Sequence, residues 1–351
     1  MTSTAMHSPK IIPPLRIAFV GLGERGRQAL RLMLPQEGVQ VVALCDLAQA
    51  NVEDAWQLVA DRAPLLLCDG RESYKQVCQA EGIDLVYICS DWTSHTPIAV
   101  EAMRGGKHVA IEVPAAMTMQ DIRLLITTAE QTGRQCFMLE NTCFEQQVME
   151  AIAAIRRGDI GEVVHAEGCY YHRLGNRWSP WRLNINRQKR GDLYPTHELG
   201  PICQALGIGT EDRLQTLVSM DSPALTGSQI YQQLMGQTAE DFQNADHTTT
   251  LIRTSRGRTI LLKHDVLTQQ PYERQLTFIG TQGRIELHDQ GHSTHETMTQ
   301  TMNQHLIDSL RHDTPLAISI YDMATWCAAI PLSQESIARG FAPVAFPDFY
   351  V

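Results

Sequence analysis

Residues 15–34, LRIAFVGLGERGRQALRLML, and residues 39–46, VQVVALCD, decide the fold. Leu15 to Val20 has the length and apolar character of a buried strand, and Gly21 opens a turn. Arg25 to Leu34 reads as a helix that Pro35 stops, and Val39 to Asp46 as the next strand. Between strand and helix the glycines Gly21, Gly23 and Gly26 hold GxGxxG spacing. The first makes the tight turn, the second lets backbone approach a pyrophosphate, and the third allows close helix packing. The helix N-terminus then turns its positive end toward the phosphates. Asp46 follows Gly26 by 20 residues, where a carboxylate binds ribose hydroxyls and repels a 2′-phosphate. Gly21, Leu22, Gly23, Arg25, Gly26 and Asp46 are therefore the expected dinucleotide cradle, with NAD favoured and Arg25 keeping NADP in play. The competing reading is a glycine turn with a surface acid.

Outward from this unit, Ala48 to Arg62 reads as a helix. Apolar runs at Leu65 to Cys68, Leu85 to Cys89, His108 to Val113 and Phe137 to Leu139 are separated by helical patterns, which describes a parallel sheet covered on both faces. Thr118 with Asp121 is a capping-box pattern opening a helix that Gly133 closes. Beyond about Gly161 the strands lengthen and come as neighbours. Thr248 to Thr254 and Thr259 to Val266 flank Ser255-Arg256-Gly257, and Gln275 to Ile279 faces Arg284 to His288 across Thr281-Gln282-Gly283. The expected fold class is α/β. An N-terminal Rossmann dinucleotide-binding domain spans 1–142, and a C-terminal α/β domain with an open, largely antiparallel sheet spans 143–351. A helix near 322–340 is in position to pack back on the first domain.

A chain of 351 residues is too long for one ordinary core, so two domains are expected. Hydrophobic residues make up 43% and charged residues 19%, and no apolar run approaches the roughly 18 residues that span a bilayer. The net charge of −10, without a basic cluster to offset it, argues against nucleic acid as a partner. Nine scattered cysteines without a CxxC pair suggest neither a disulfide framework nor a zinc knuckle. The opening MTSTAMHSPKIIPP lacks a basic start and an apolar h-region, so the chain as given reads as cytoplasmic, a previously removed export signal aside. His288, His292 and His295 have the spacing of one helical face that could hold a metal. The stretch HDQGHSTH has Gly291 and little apolar periodicity, however, and reads as a solvated loop. No metal is expected.

Ligands of such parallel sheets bind outside the carboxyl ends of the strands. There the sequence places Asp91-Trp92-Thr93-Ser94-His95, Glu112-Val113-Pro114-Ala115-Ala116 and Glu140-Asn141. Trp92 and His95 read either as flanking a nicotinamide ribose or as a loop cap and a helix-starting residue. Asn141 is in reach of a cofactor. In RWSPWRL, Pro180 is expected to prevent a simple helix, and Trp178 and Trp181, next to Arg182, read as a sugar platform or as ordinary packing. On the residues alone, His197 is a base or a satisfied cap, and Tyr170, Tyr194 and Tyr272 are core or interface aromatics.

GLGERG, Asp46, the WTSH segment, EVPAA and the helix-GDIGEV-strand transition resemble the Gfo/Idh/MocA oxidoreductase superfamily over nearly the whole chain. Its dehydrogenases usually read EKP where this chain reads EVP, and place an aspartate four residues before a catalytic histidine, where Leu193 precedes His197. Oxidising an alcohol needs a base for the hydroxyl proton as hydride leaves, and neither Val113 nor Leu193 exchanges one. The pattern is more similar to the NAD-dependent glycoside hydrolases of the α-N-acetylgalactosaminidase type: MLEN, HAEGCYYH, WRL, GDLYPTHELGPI, DHTTTLIRT and HDVLTQQPY occur in that order.

That resemblance implies that Tyr170, Tyr194, His197 and Tyr272 face a sugar with Glu112 nearby. It also implies that Trp92, His95, Glu112, Val113, Asn141 and Arg182 help hold NAD. The implied chemistry is oxidation at C3, loss of the C2 proton with expulsion of the aglycone, addition of water and re-reduction, unlike two-carboxylate hydrolysis. His197 is the first choice as base at C3 or C2, with Tyr194 and Tyr272 as further proton carriers. The expected function is NAD-dependent glycosidase on an α-N-acetylgalactosaminide or related glycoside. A sugar or inositol dehydrogenase and a dinucleotide-sensing binding protein without turnover are the alternatives. The expected partner is a small-molecule or glycan substrate, no membrane is involved, and homo-oligomerisation stays open.

Overall fold

The computed structural model describes residues 13–59, 64–289 and 295–350. β1 (Leu15–Val20) is buried except at Arg16 because it lies between two parallel neighbours, β2 (Val39–Cys45) and β4 (Leu85–Ile88). With β3 (Leu65–Leu67), β5 (His108–Ile111) and β6 (Cys136–Met138) these form a six-stranded parallel sheet ordered β3-β2-β1-β4-β5-β6. Strand order reverses between β1 and β4, so the GLGERG turn and the segment after β4 open onto one crevice. The connecting helices are α1 (Glu24–Met33), α2 (Gln49–Trp56), α3 (Ser73–Gln79), α4 (Trp92–Arg104) and α5 (Met119–Thr132). α2 ends short of the expected span, whose last residue, Arg62, lies outside the described residues. Asp91 caps α4 by accepting from Thr93 N–H, and Thr118 caps α5 by accepting from Asp121 N–H before left-handed Gly133 ends it.

After α6 (Gln146–Arg157) comes a seven-stranded sheet ordered β12-β11-β7-β10-β9-β8-β13. Its strands are β7 (Val163–Tyr171), β8 (Leu214–Asp221), β9 (Thr248–Thr254), β10 (Thr259–Asp265), β11 (Glu273–Gly280), β12 (Arg284–His288) and β13 (Val344–Ala345). Only β7 and β10 pair in parallel. The β9–β10 and β11–β12 hairpins keep the expected registers, with Ile260 opposite Ile252 and Phe278 opposite Ile285. α7 (Pro180–Gln188) and α9 (Thr226–Met235) pack on each other, and α8 (Thr196–Leu206) lies against β7, β10 and β11. α10 (His295–His312) packs on α1, and α11 (Ile320–Ala338) touches both halves, packing on α5 and β6 and also on β8.

One expectation needs correction. Pro180 does not block a helix; it occupies the first position of α7, behind the Ser179 cap, where its fixed φ suits the helix and its missing N–H has no partner to lose. His288 and His295 do not share a helical face, since one sits in β12 and the other opens α10; His292 and Gly291 lie outside the described residues. No cluster of metal-ligand type occurs among the described residues. The nine cysteines are free thiols, and no helix of the described residues is long and apolar enough to cross a membrane.

The glycine turn sets how closely sheet and helix approach. Gly21 has φ 89°, and a Cβ on Gly26 would stand 2.0 Å from the Gly21 carbonyl oxygen. Gly26→Ala must push strand and helix apart, so it is expected to cost about 1–3 kcal/mol of stability and to weaken NAD binding. Chemical denaturation with and without NAD measures both, and an unchanged midpoint would contradict this packing.

Candidate active site

A cleft of about 1810 Å³ runs along the carboxyl edge of the parallel sheet and over the inner face of the second sheet. Pockets for one drug-sized ligand are roughly 300–1,000 Å³, so this one has room for a dinucleotide and a second molecule. At its first end the backbone is bare. A Cβ on Gly23 would meet nothing within 4 Å, and no side chain caps the start of α1, so the helix N-terminus is open to a phosphate. Asp46 is oriented by the same turn: its Oδ2 accepts from Leu22 N–H at 2.5 Å, and its Oδ1 from Ala48 N–H at 2.8 Å and Asn51 at 3.1 Å. A carboxylate has about four acceptor sites, which leaves capacity for a ribose hydroxyl. Arg25, which kept NADP in play, is committed elsewhere, its Nε donating to Glu112 Oε1 at 2.8 Å.

Further along, Trp92, His95, Glu112, Val113, Asn141 and Arg182 all line the cleft. His95 is a tie rather than a free donor. Its Nδ1 and Nε2 lie 2.9 and 3.1 Å from the carbonyl oxygens of Pro114 and Ser90, and burial lowers its pKa. Asn141 donates to Thr299 Oγ1 at 3.0 Å. The Arg182 guanidinium lies over both Trp92 and Trp181, at 5.2 and 5.3 Å. Trp178 also lines the cleft, while packing in a small satellite core with Leu183, Tyr231 and Phe242.

The floor is a row at one register of the second sheet, where His264 of β10 and Arg274 of β11 stand on either side of Tyr170 of β7. Tyr194 stacks between Tyr170, at 5.9 Å, and Trp92, at 5.8 Å, forming aromatic steps across the cleft. Tyr272 is at the lip, 47% exposed, its hydroxyl donating to Asp289 Oδ2 at 2.9 Å. Burial pushes the phenols of Tyr170, Tyr194 and Tyr272 upward, so each is a hydroxyl donor and not a phenolate. Arg177 donates to His172 Nε2 at 2.8 Å, and a guanidinium has no acceptor. His172 must therefore carry its proton on Nδ1, 2.6 Å from the Tyr170 oxygen. Tyr170 accepts that bond and keeps its own proton for the cleft.

His197, the second residue of α8, edges both Tyr194 and Tyr170 at 4.8 and 5.1 Å. Its Nδ1 is 2.7 Å from Oε1 of Glu140, which is wholly buried at the end of β6. Thr142 Oγ1 donates to the same oxygen at 2.7 Å, and the neighbouring imidazole and these hydrogen bonds hold the Glu140 carboxyl below its usual range despite burial. The proton of a neutral His197 then sits on Nδ1, and Nε2 presents a lone pair to the cleft. Glu140 and His264 were not singled out from the sequence. Glu140 carried a usable signal as the carboxylate next to Asn141 at a strand's carboxyl end. His264 carried another, being the polar member of the buried alternation Ile260, Leu262, His264.

Two family descriptions cover the chain. Residues 144–291 and 284–350 match "Glycosyl hydrolase 109, C-terminal domain", and residues 15–140 match "Oxidoreductase family, NAD-binding Rossmann fold". Glycosyl hydrolase family 109 protein 1 of Phocaeicola vulgatus is 37% identical, over 98% of this chain and 85% of that protein. The Porphyromonas gingivalis family 109 protein is 35% identical, over 99% and 88%. Among solved structures, myo-inositol dehydrogenase from Lactobacillus casei with NAD(H) and myo-inositol superposes with TM-score 0.73 at 18% identity, over 96% of this chain and 100% of that one. The apo scyllo-inositol dehydrogenase of the same organism gives 0.77 at 14%, over 95% and 99%. At these identities the structures share the fold.

Beside His197, Glu198 is wholly buried against Gly168, and neither carboxyl oxygen has a hydrogen-bond partner among the described residues. Burial, and then Asp192, raise its pKa well above the usual value, so the fold holds it protonated. The unfolded chain releases that proton above roughly pH 4.3, so folding loses about 1.4 kcal/mol per pH unit from there until the folded group titrates. Glu198→Gln removes this term. The variant is expected to gain on the order of 1–3 kcal/mol over wild type at pH 7 and nothing at pH 4, measured by urea unfolding; an equal difference at both pH values would show that Glu198 is ionised in the fold.

Proposed function

The chain belongs to the glycosyl hydrolase 109 family and is an NAD-dependent glycoside hydrolase; from that premise we propose that it cleaves an α-N-acetylgalactosaminide or a related glycoside through a redox cycle on the sugar ring. The observation that carries this reading is the Glu140–His197 pair, a buried carboxylate 2.7 Å from an imidazole whose other nitrogen faces the cleft. NAD, when bound, supplies a hydride acceptor that returns the hydride within the same turnover.

The 1–142 portion holds the dinucleotide. Gly21, Leu22, Gly23, Arg25 and Gly26 shape the pyrophosphate turn, with Arg25 acting through Glu112. Asp46 takes the ribose hydroxyls. Trp92, His95, Glu112, Val113 and Asn141 wall the nicotinamide end, joined by Arg182 from the second portion. The 143–351 portion holds the sugar over Tyr170. His197 takes the proton from the hydroxyl at C3, and the Glu140 carboxylate stabilises the imidazolium that forms and fixes which nitrogen reacts. Tyr170 and Tyr194 donate to ring oxygens, because their raised pKa values suit donors better than bases, while Tyr272, its proton held by Asp289, lines the lip.

Nitrophenyl α- and β-glycosides incubated with and without NAD test the reading. The expected result is NAD-dependent nitrophenol release with no net build-up of reduced cofactor; build-up matching product, without cleavage, would make the protein a dehydrogenase. His197→Ala should cut turnover by about 10²–10⁴ with NAD affinity nearly intact. Glu140→Gln should approach that loss because an amide donating to Nδ1 enforces the wrong tautomer. Asp46→Ala, by contrast, should weaken NAD by about 2–3 kcal/mol, read by titration calorimetry.

A further inference from the structure

We propose that His264, backed by Asp192, is a second proton-transfer residue of the cleft, and that it accepts the proton from C2 of the oxidised sugar. This rests on the redox-cycle reading above. That reading sets a requirement one histidine does not meet. While C3 is a ketone, the proton taken from its hydroxyl must stay on His197 to be returned at re-reduction, so the C2 proton needs a separate acceptor.

The geometry supplies one. His264 is 3% exposed yet lines the cleft, and its ring stacks on Tyr170 at 6.2 Å, while His197 stands edge-on to the same phenol at 5.1 Å. His197 hangs from Glu140, next to Asn141 at the edge of the parallel sheet, so it is the imidazole nearer the dinucleotide. His264 lies further along the floor. Its Nδ1 is 3.5 Å from Oδ1 of Asp192, an oxygen fixed by the Tyr194 N–H at 3.1 Å. With its proton on Nδ1, facing that oxygen, His264 leaves Nε2 as a lone pair. That Nε2 is buried and has no hydrogen-bond partner among the described residues. A buried acceptor left unmatched costs as much as a lost hydrogen bond, and a substrate that brings a proton to it relieves that cost.

The step balances as follows. Nε2 takes the C2 proton, and the C–H electron pair passes into the enolate of the C3 ketone. That pair then forms the C1–C2 double bond as the C1–O bond breaks, and the aglycone oxygen leaves with the bonding pair and takes a proton from water. The resulting hydroxide adds to C1, and the imidazolium, its proton having exchanged with water while the aglycone departs, protonates C2.

The test compares wild type, His264→Gln and Asp192→Asn, each loaded with NAD, on one nitrophenyl glycoside in deuterated buffer. Three signals are followed: reduced-cofactor absorbance in a single turnover, deuterium at C2 of the sugar, and nitrophenol release. His264→Gln is expected to bind NAD and to form reduced cofactor at near the wild-type rate. Its C2 exchange and cleavage should fall together by about 10²–10⁴. Asp192→Asn, which keeps the imidazole, should show the same split to a smaller degree and decides the matter if His264→Gln fails to bind NAD. Wild-type exchange at C2 in these variants would overturn the proposal, as would a loss of reduced-cofactor formation equal to the loss of exchange. Cleavage by wild type without NAD, or without any C2 exchange, would instead overturn the redox cycle itself.

Discussion

A hydrogen bond out of contact with water, from the imidazole of His197 to the carboxylate of Glu140, joins the last strand of the parallel sheet to the helix under the mixed sheet. Neither partner is tolerable there alone. A carboxylate in that position without a proton donor would be strongly disfavoured, and an imidazole without a fixed partner would offer either nitrogen to the cleft. The bond also fixes where α8 begins, and with it the step of Tyr194 between Trp92 and Tyr170. This short polar contact joins the two halves at the cleft, alongside the packing of α11 on α5, β6 and β8.

The cleft is charged in pairs although the chain as a whole carries −10. Arg25 answers Glu112, Arg274 answers Glu145 and Asp289, and two histidines answer Glu140 and Asp192. Arg182 lies on indole rings, the less hydrated cation being suited to aromatic faces. Such matching keeps polar side chains aimed without leaving a large field of one sign. A neutral sugar and a dinucleotide with an anionic centre can then share the space.

Much of the fold was legible in the sequence because its signals are local. Strand, glycine turn and helix follow within residues 15–34, Asp46 ends the next strand, and the hairpins at 248–266 and 275–288 declare themselves through short turns. The caps of α4 and α5 likewise need only three or four residues. What the sequence did not reveal is set by pairings between distant segments. Glu140 and His197 are 57 residues apart, and His264 meets Tyr170 only because β10 runs parallel to β7, a pairing that neighbour-by-neighbour reading of strands does not anticipate. Pro180 was misread for another reason: proline breaks a helix from within but opens one from its first turn.

α11 bears on how such a protein can be recombined. Its side chains Met323, Trp326, Cys327, Ala328 and Ile330 are buried, and the helix covers α5 and β6 of the parallel sheet as well as β8 of the other. Part of the lid over the dinucleotide-binding half is thus encoded at the far end of the chain. A chimera cut between residues 140 and 144, where the two family matches meet, with a foreign second part, would inherit a first part missing one wall of its core. The transferable module is discontinuous, made of the opening two fifths of the chain together with this one late helix.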